Sequence, residues 1–136
     1  MATVYKICGD QEWLACVRDG SLPWSAADAR DGFVHLSTDV QLGETARRHF
    51  AGRTDLWLLA VEVERLGTEL RWEPSRDGAL FPHLYGALKH TAVVEAAALA
   101  VLGPGALAWP PWLPWSGQPA AGGSDSAFKP EAPAKP

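Results

Sequence analysis

The sequence predicts an α+β domain of short strands and two or three short helices, and three observations lead there. Short runs of period-two alternation recur along the chain. Helix-start signals of the capping-box kind fall between them. One run, Asp55-Leu56-Trp57-Leu58-Leu59-Ala60-Val61-Glu62-Val63, is too apolar on both faces for a surface strand and reads as a central one. A chain of 136 residues, 47% hydrophobic and 21% charged, is enough for one globular domain with a core of its own.

Taken in order, residues 3–7 alternate as a strand. Gly9-Asp10 offers a turn with Asp10 as N-cap, and a helix over residues 12–18 follows, its buried stripe made of Trp13, Leu14 and Val17. Gly20 stops it. Ser25-Ala26-Ala27-Asp28 caps a single helical turn ahead of the Asp31-Gly32 turn. Phe33-Val34-His35-Leu36-Ser37 is a short strand, with Phe33, His35 and Ser37 on one face and Val34 and Leu36 on the other. Thr38-Asp39-Val40-Gln41 is a capping box that starts a helix reaching about Ala51, burying Val40, Ala46 and Phe50, with Gly52 as its stop.

Beyond the central strand, Glu69-Leu70-Arg71-Trp72-Glu73 alternates again and sets Glu69, Arg71 and Glu73 opposite Leu70 and Trp72, until Pro74 stops the strand. Residues 77–86 read as a loop with a short strand, and Phe81-Pro82-His83-Leu84-Tyr85-Gly86 looks too irregular for a regular element. The alanines of residues 91–102 favour a helix while Val93-Val94 and the position favour a closing strand, which is the reading adopted. The expected organisation is one α+β domain over 1–102, a Pro/Trp-rich extension over 103–115 and a disordered tail over 116–136, whose Gly, Ala, Ser, Pro and Lys lack core-forming content. In a polyproline helix Trp109, Trp112 and Trp115 line one edge, which either folds back on the domain or binds a partner.

Charge and cysteine usage exclude several classes of function. A net charge of −4 and a pI near 5.5 give no electrostatic reason to bind nucleic acid or an anionic membrane. No apolar run reaches the roughly 18–20 residues of a membrane span, the first residues do not read as a signal peptide, and Cys8 and Cys16 match no CxxC or zinc pattern, so a cytoplasmic location is expected. His35, His49, His83 and His90 lack ligand spacing, so no metal is expected. The chemistry concentrates at residues 31–38. An imidazole and a hydroxyl stand on one strand face, and the strand runs into a helix N-terminus of the kind that favours phosphate. The alternative for His35 is a core histidine bonded to a carbonyl.

These pieces, Val4-Tyr5-Lys6-Ile7, Trp13, Asp28, the run from Asp31 to Thr38, Gln41, Asp55-Leu56, Arg71-Trp72-Glu73 and Phe81 to Gly86, resemble the small bacterial proteins of the domain of unknown function 952 family. That family resembles in turn, more distantly, the ADP-ribosyltransferase fold shared with tRNA 2′-phosphotransferases. The second resemblance implies a small split mixed β-sheet gripping NAD, with a strand that carries His and then Ser two residues on, as His35 and Ser37 do; Leu36 stands where Gly is frequent. It implies His35 on a ribose hydroxyl, Tyr85 beside the nicotinamide and Glu73 as the catalytic carboxylate. Ser37, Thr38, Arg71 and His83 complete the expected ligand contacts. The resulting expectation is a nucleotide-type ligand, NAD or ADP-ribose-like, bound beside the His35/Ser37 strand with glycosidic-bond chemistry possible. Binding without proven turnover is the leading form of this expectation, and a non-catalytic protein-interaction module using the Trp109/Trp112/Trp115 edge is the alternative.

Overall fold

Strand β1 (Thr3–Gly9) pairs antiparallel with β3 (Leu56–Glu62) in a register that sets Gly9 opposite Leu56 and Thr3 opposite Glu62. The chain therefore leaves the sheet after Gly9 and re-enters at the same end, a closure marked by Asp10 N–H donating to the Asp55 carbonyl at 2.9 Å. Strands β6 (Val93–Gly103) and β7 (Ala106–Ala108) extend this sheet to the order β1-β3-β6-β7, so β3 is central, as its apolar run requires. A second, three-stranded sheet has the order β2-β5-β4, from β2 (Val34–His35), β5 (Leu80–Leu84) and β4 (Leu70–Pro74). The structure, a computed structural model, describes residues 2–103 and 106–108. Trp109, Trp112, Trp115 and the segment 116–136 lie outside the described residues.

The sheet is split, as expected, but it is not mixed: every strand pairing among the described residues is antiparallel. Parallel neighbours need a crossover that carries the chain to the opposite end of the sheet. Here the helical excursion between β1 and β3, and the β4–β5 excursion between β3 and β6, both return to the end they left. The segment 81–86, expected to be irregular, supplies the middle strand β5. Pro82 is tolerated there because N–H and C=O of one extended residue point the same way. Its carbonyl accepts from Leu36 N–H at 3.1 Å, so its missing donor faces the end of the short β2 ladder and takes nothing from the pairing with β4. The alanine-rich stretch is the strand β6, since pairing against β3 overrides its helix propensity.

Three α-helices accompany the sheets. In α1 (Asp10–Asp19) the N-cap is Gly9, whose N–H donates to Glu12 Oε1 at 2.7 Å, so Asp10 lies inside the first turn rather than capping it. Its contact line runs through Trp13 and Cys16, and the other two residues of the expected stripe, Leu14 and Val17, are each 53% exposed. At 3.6 residues per turn, Leu14 lies well round the helix from the Trp13–Cys16 line and Val17 at its margin. Helix α2 (Ala26–Asp31) carries the expected Ser25 cap, reciprocated by Asp28. Helix α3 (Asp39–Phe50) carries the Thr38/Gln41 box, and Gln41 also donates to the Leu80 carbonyl at 2.8 Å. Leu42 and Ala46 are its buried pair; Val40, expected inside, is 62% exposed.

Both faces of the four-stranded sheet are covered. Val4, Cys8, Leu59 and Val61 pack with Val34, Leu36 and Leu84 of the second sheet and with Cys16 of α1, while Tyr5, Ile7, Leu56, Leu58 and Leu99 pack against Leu42 and Ala46 of α3. Burying both faces of β3 removes its side chains from water at about 25 cal/mol per Å² of apolar area.

Candidate functional site

Residues 33–37 cross from one sheet to the other. Val34 and His35 pair with Leu84 and His83, and Ser37 then exchanges two backbone hydrogen bonds with Tyr5, at 2.8 and 2.9 Å. Because directly paired residues project to the same side of a sheet, the register of His35 with His83, and of His83 with Arg71, lays these three in one row across β2, β5 and β4. The neighbouring positions on that face are Phe33 on β2's side, Phe81 and Tyr85 on β5's side, and Glu73 on β4. The opposite face carries Val34, Leu36, Leu70, Trp72 and Leu84, which enter the core. The alternation of residues 33–37 and 69–73 thus has a single outcome: one face packs and the other holds polar chemistry.

Asp28 is the hub of the first half of the site. Fully buried, it accepts from Lys6 Nζ on both oxygens (3.2 and 3.1 Å), from the backbone N–H of His35 (3.0 Å) and Ser25 (3.2 Å), and from His35 Nδ1 at 2.7 Å. Burial pushes its carboxyl up, but the hydrogen bond from His35 and the charge of Lys6 outweigh that and hold it below the usual carboxylate range. Lys6 is buried because it sits on the core-facing side of β1 between Val4 and Cys8, where only a paired charge is tolerated. On the far side of the imidazole, His35 Nε2 meets Asp31 Oδ2 at 2.9 Å. Arg30 also binds Asp31, and its hydrogen bond is the first cause holding that carboxyl low. With an ionised carboxylate on each nitrogen, both contacts are filled only when both ring nitrogens carry hydrogen.

The second half is built on Glu73. His83 Nδ1 and the Tyr85 hydroxyl both donate to Glu73 Oε1 at 2.7 Å. The bond from His83, then that from Tyr85, hold the Glu73 carboxyl below its ordinary value, and the same bond raises Tyr85. Phe33 stacks on His83 with ring centroids 3.9 Å apart and planes 20° apart, and also touches His35 (4.6 Å) and Tyr85 (5.2 Å). The two imidazoles stand 5.9 Å apart, edge to face. Arg71 lies over the Tyr85 ring at 5.3 Å.

A cleft of about 830 Å³ opens beside these groups. Of the residues singled out from sequence, His35, Ser37 and His83 line it, whereas Thr38, Arg71, Glu73 and Tyr85 do not. Glu73 meets the cleft only through His83. The part of α3 that lines the cleft is its C-terminal half, Thr45 to Phe50, so the N-terminus after Thr38, expected to face the ligand, is turned elsewhere, with its Gln41 N–H taken by Thr38 Oγ1. Ser37 is buried, its hydroxyl donating to Thr45 Oγ1 at 3.2 Å. Arg76 reaches the same Thr45 oxygen at 3.2 Å from the loop over residues 75–79, covers the Phe81 ring at 4.8 Å, and forms no ion pair among the described residues. That loop turns tightly on Asp77 and Gly78, both at positive φ (57° and 79°), the Asp-Gly pairing that suits a β-hairpin. The cleft is electropositive at this end: burial, then the charges of Arg76 and Arg48, push the His49 imidazole below its usual value.

Sequence reasoning missed Lys6, Phe33 and Arg76 as site residues, and used Asp28 only as a cap. A lysine inside an apolar alternating strand was the available signal for the first; the others depend on which strands pair. Among the described residues no group of three or more His, Cys, Asp or Glu is arranged to hold a metal, and no helix is long and apolar enough to cross a membrane.

Comparison with known proteins agrees with this architecture. The crystal structure of protein CC0527 from Caulobacter crescentus is 48% identical to this chain with a TM-score of 0.69, covering 71% of this chain and 85% of that one. The solution NMR structure of the same protein, also 48% identical, gives a TM-score of 0.66 over 74% and 86% of the two chains. No functionally curated protein matches. A family model described as protein of unknown function, DUF952, matches residues 7–96. A match over that span, with a solved relative at this identity, shows that the chain belongs to the DUF952 family.

Proposed function

We propose that the cleft binds a phosphate-bearing nucleotide, of the NAD or ADP-ribose kind, with His35 and His83 against its ribose and Arg76 against its phosphate. The observation that carries this reading is the cross-strand pair of carboxylate-held imidazoles beside an arginine that has no ion pair among the described residues. Imidazole N–H groups suit ribose hydroxyls and a guanidinium suits phosphate oxygens. A volume of about 830 Å³ lies within the range of small-molecule sites.

The narrower form of the reading is an ADP-ribosyltransferase-like fold with cleavage of the nicotinamide–ribose bond. In that form Glu73 steadies the ribose, yet its carboxylate is engaged by His83 and Tyr85 and reaches the ligand only through His83. Binding is therefore favoured over glycosidic-bond chemistry. Titration of ADP-ribose and of NAD against the labelled full chain tests it. Amide shifts are expected at residues 33–37, 75–77 and 83, lost in His35→Ala and kept in Thr38→Ala, which lies off the cleft wall. Silence at all these amides up to millimolar ligand would sink the reading.

A further inference from the structure

We infer that His83 and His35 form an acid–base pair that hydrolyses a phosphodiester of the bound nucleotide, His83 being the base. The inference rests on the nucleotide reading above and adds a reaction to it.

His83 is 5% exposed, and what remains open is turned to the cleft that it lines. Its Nδ1 donates to Glu73, so the proton of the neutral ring sits on Nδ1 and the lone pair on Nε2. Nε2 has no hydrogen-bond partner among the described residues, although the rest of the ring is held by Glu73 on one edge and by Phe33 stacked on its face. An imidazole fixed by a carboxylate on one nitrogen with the other free toward a cleft is the arrangement a general base requires.

His35 is held the opposite way. Asp28 occupies Nδ1 from the interior and Asp31 occupies Nε2 from the exposed edge, and toward a carboxylate oxygen an imidazole nitrogen can only donate. Asp28 is fixed by four further hydrogen bonds, but Asp31 is an exposed side chain whose other partner is Arg30. Its Oδ2 stands where an oxygen of the ligand would accept the Nε2 proton, and in the proposed complex the ligand oxygen replaces it there. The ring centroids stand 5.9 Å apart, edge to face on adjacent strands, and both residues line the cleft, so a phosphate lying in the cleft in front of the pair can meet a nitrogen of each. Arg76 stands at the same cleft to neutralise the non-bridging oxygens.

The step balances with water as the only co-reactant. Water attacks phosphorus from the His83 side, and Nε2 of His83 takes its proton as the new P–O bond forms. The opposite P–O bond to the ribose breaks, its electron pair stays on the departing oxygen, and His35 Nε2 supplies the proton that makes it a hydroxyl. The products are a phosphomonoester and an alcohol, and proton exchange with solvent restores both rings.

The experiment uses the full chain with 2′,3′-cyclic AMP as probe, the product followed by ³¹P NMR and binding by the same amide titration. Turnover to a nucleotide monophosphate is expected, with kcat falling about 10²–10⁴-fold in His83→Gln and in His35→Gln, both shown folded by tryptophan fluorescence. Glu73 is a positioning residue: Glu73→Gln should lower kcat about tenfold with KM unchanged, and Glu73→Asp should recover part of the loss. That split also reports on His83 if its own variant does not fold. Binding of the probe with no product, or undiminished turnover in a folded His83→Gln variant, overturns the acid–base pair alone. Failure of this probe, ADP-ribose and NAD to bind overturns the nucleotide reading together with it.

Discussion

Replacing Lys6 by Met tests the buried network from its deepest member. The lysine side chain is 7% exposed and its Asp28 partner 1%, with Nζ bonded to both carboxylate oxygens. Removing one partner of a buried ion pair costs roughly 3–5 kcal/mol when the other charge is left alone. Asp28 is not left alone, because the His35 ring and the backbone N–H groups of His35 and Ser25 still bond it. Methionine also keeps the apolar packing of the lysine stem. The expected loss is therefore about 2 kcal/mol, which lowers a urea midpoint by on the order of 1 M. Tryptophan-fluorescence melts measure it. The pH dependence adds a sign. With a carboxyl depressed in the folded state, the stabilisation is complete above the ordinary carboxylate range and is lost as the pH falls toward the folded value. Wild type should thus weaken below about pH 4, and the gap to Lys6→Met should narrow there as the uncompensated carboxylate protonates. A stability loss under about 0.5 kcal/mol at neutral pH, or a gap that widens in acid, would refute the reasoning that Lys6 balances a buried charge.

Two further outcomes follow from burial. Leu42→Ala should cost about 2–5 kcal/mol, whereas Val40→Asp, two positions past the Thr38 cap, should stay within about 0.5 kcal/mol; equal losses would mean that α3 docks through the wrong face. Burial, with Glu12 nearby, has pushed the Cys8 thiol up to about 12, and burial raises Cys16 as well, so both should resist iodoacetamide at pH 8 until urea unfolds the chain. Native labelling at the rate of a free thiol would contradict that packing.

Local rules written in the sequence settled the parts of the fold that depend on near neighbours. The capping boxes at Ser25/Asp28 and Thr38/Gln41 form as expected because their partners lie three residues apart, and the apolar run after Asp55 is central because nothing in it tolerates water. Alternation likewise put His35 and Ser37 on one strand face and Arg71 and Glu73 on another. What alternation leaves open is which strand lies beside which, since register is a property of pairs. Only the tertiary structure sets His83 opposite both His35 and Arg71, brings Glu73 and Tyr85 together on one oxygen, and turns the start of α3 away from the cleft. Pro82 misled the reading of residues 81–86 for the same reason: its missing donor matters only on the side where a ladder continues, and that side was decided by a β2 strand two residues long. Lys6 shows the limit most plainly. A charge inside an apolar strand announces a buried partner, but the partner is Asp28, twenty-two residues away and on another element, and only the folded chain brings it within 3.1 Å.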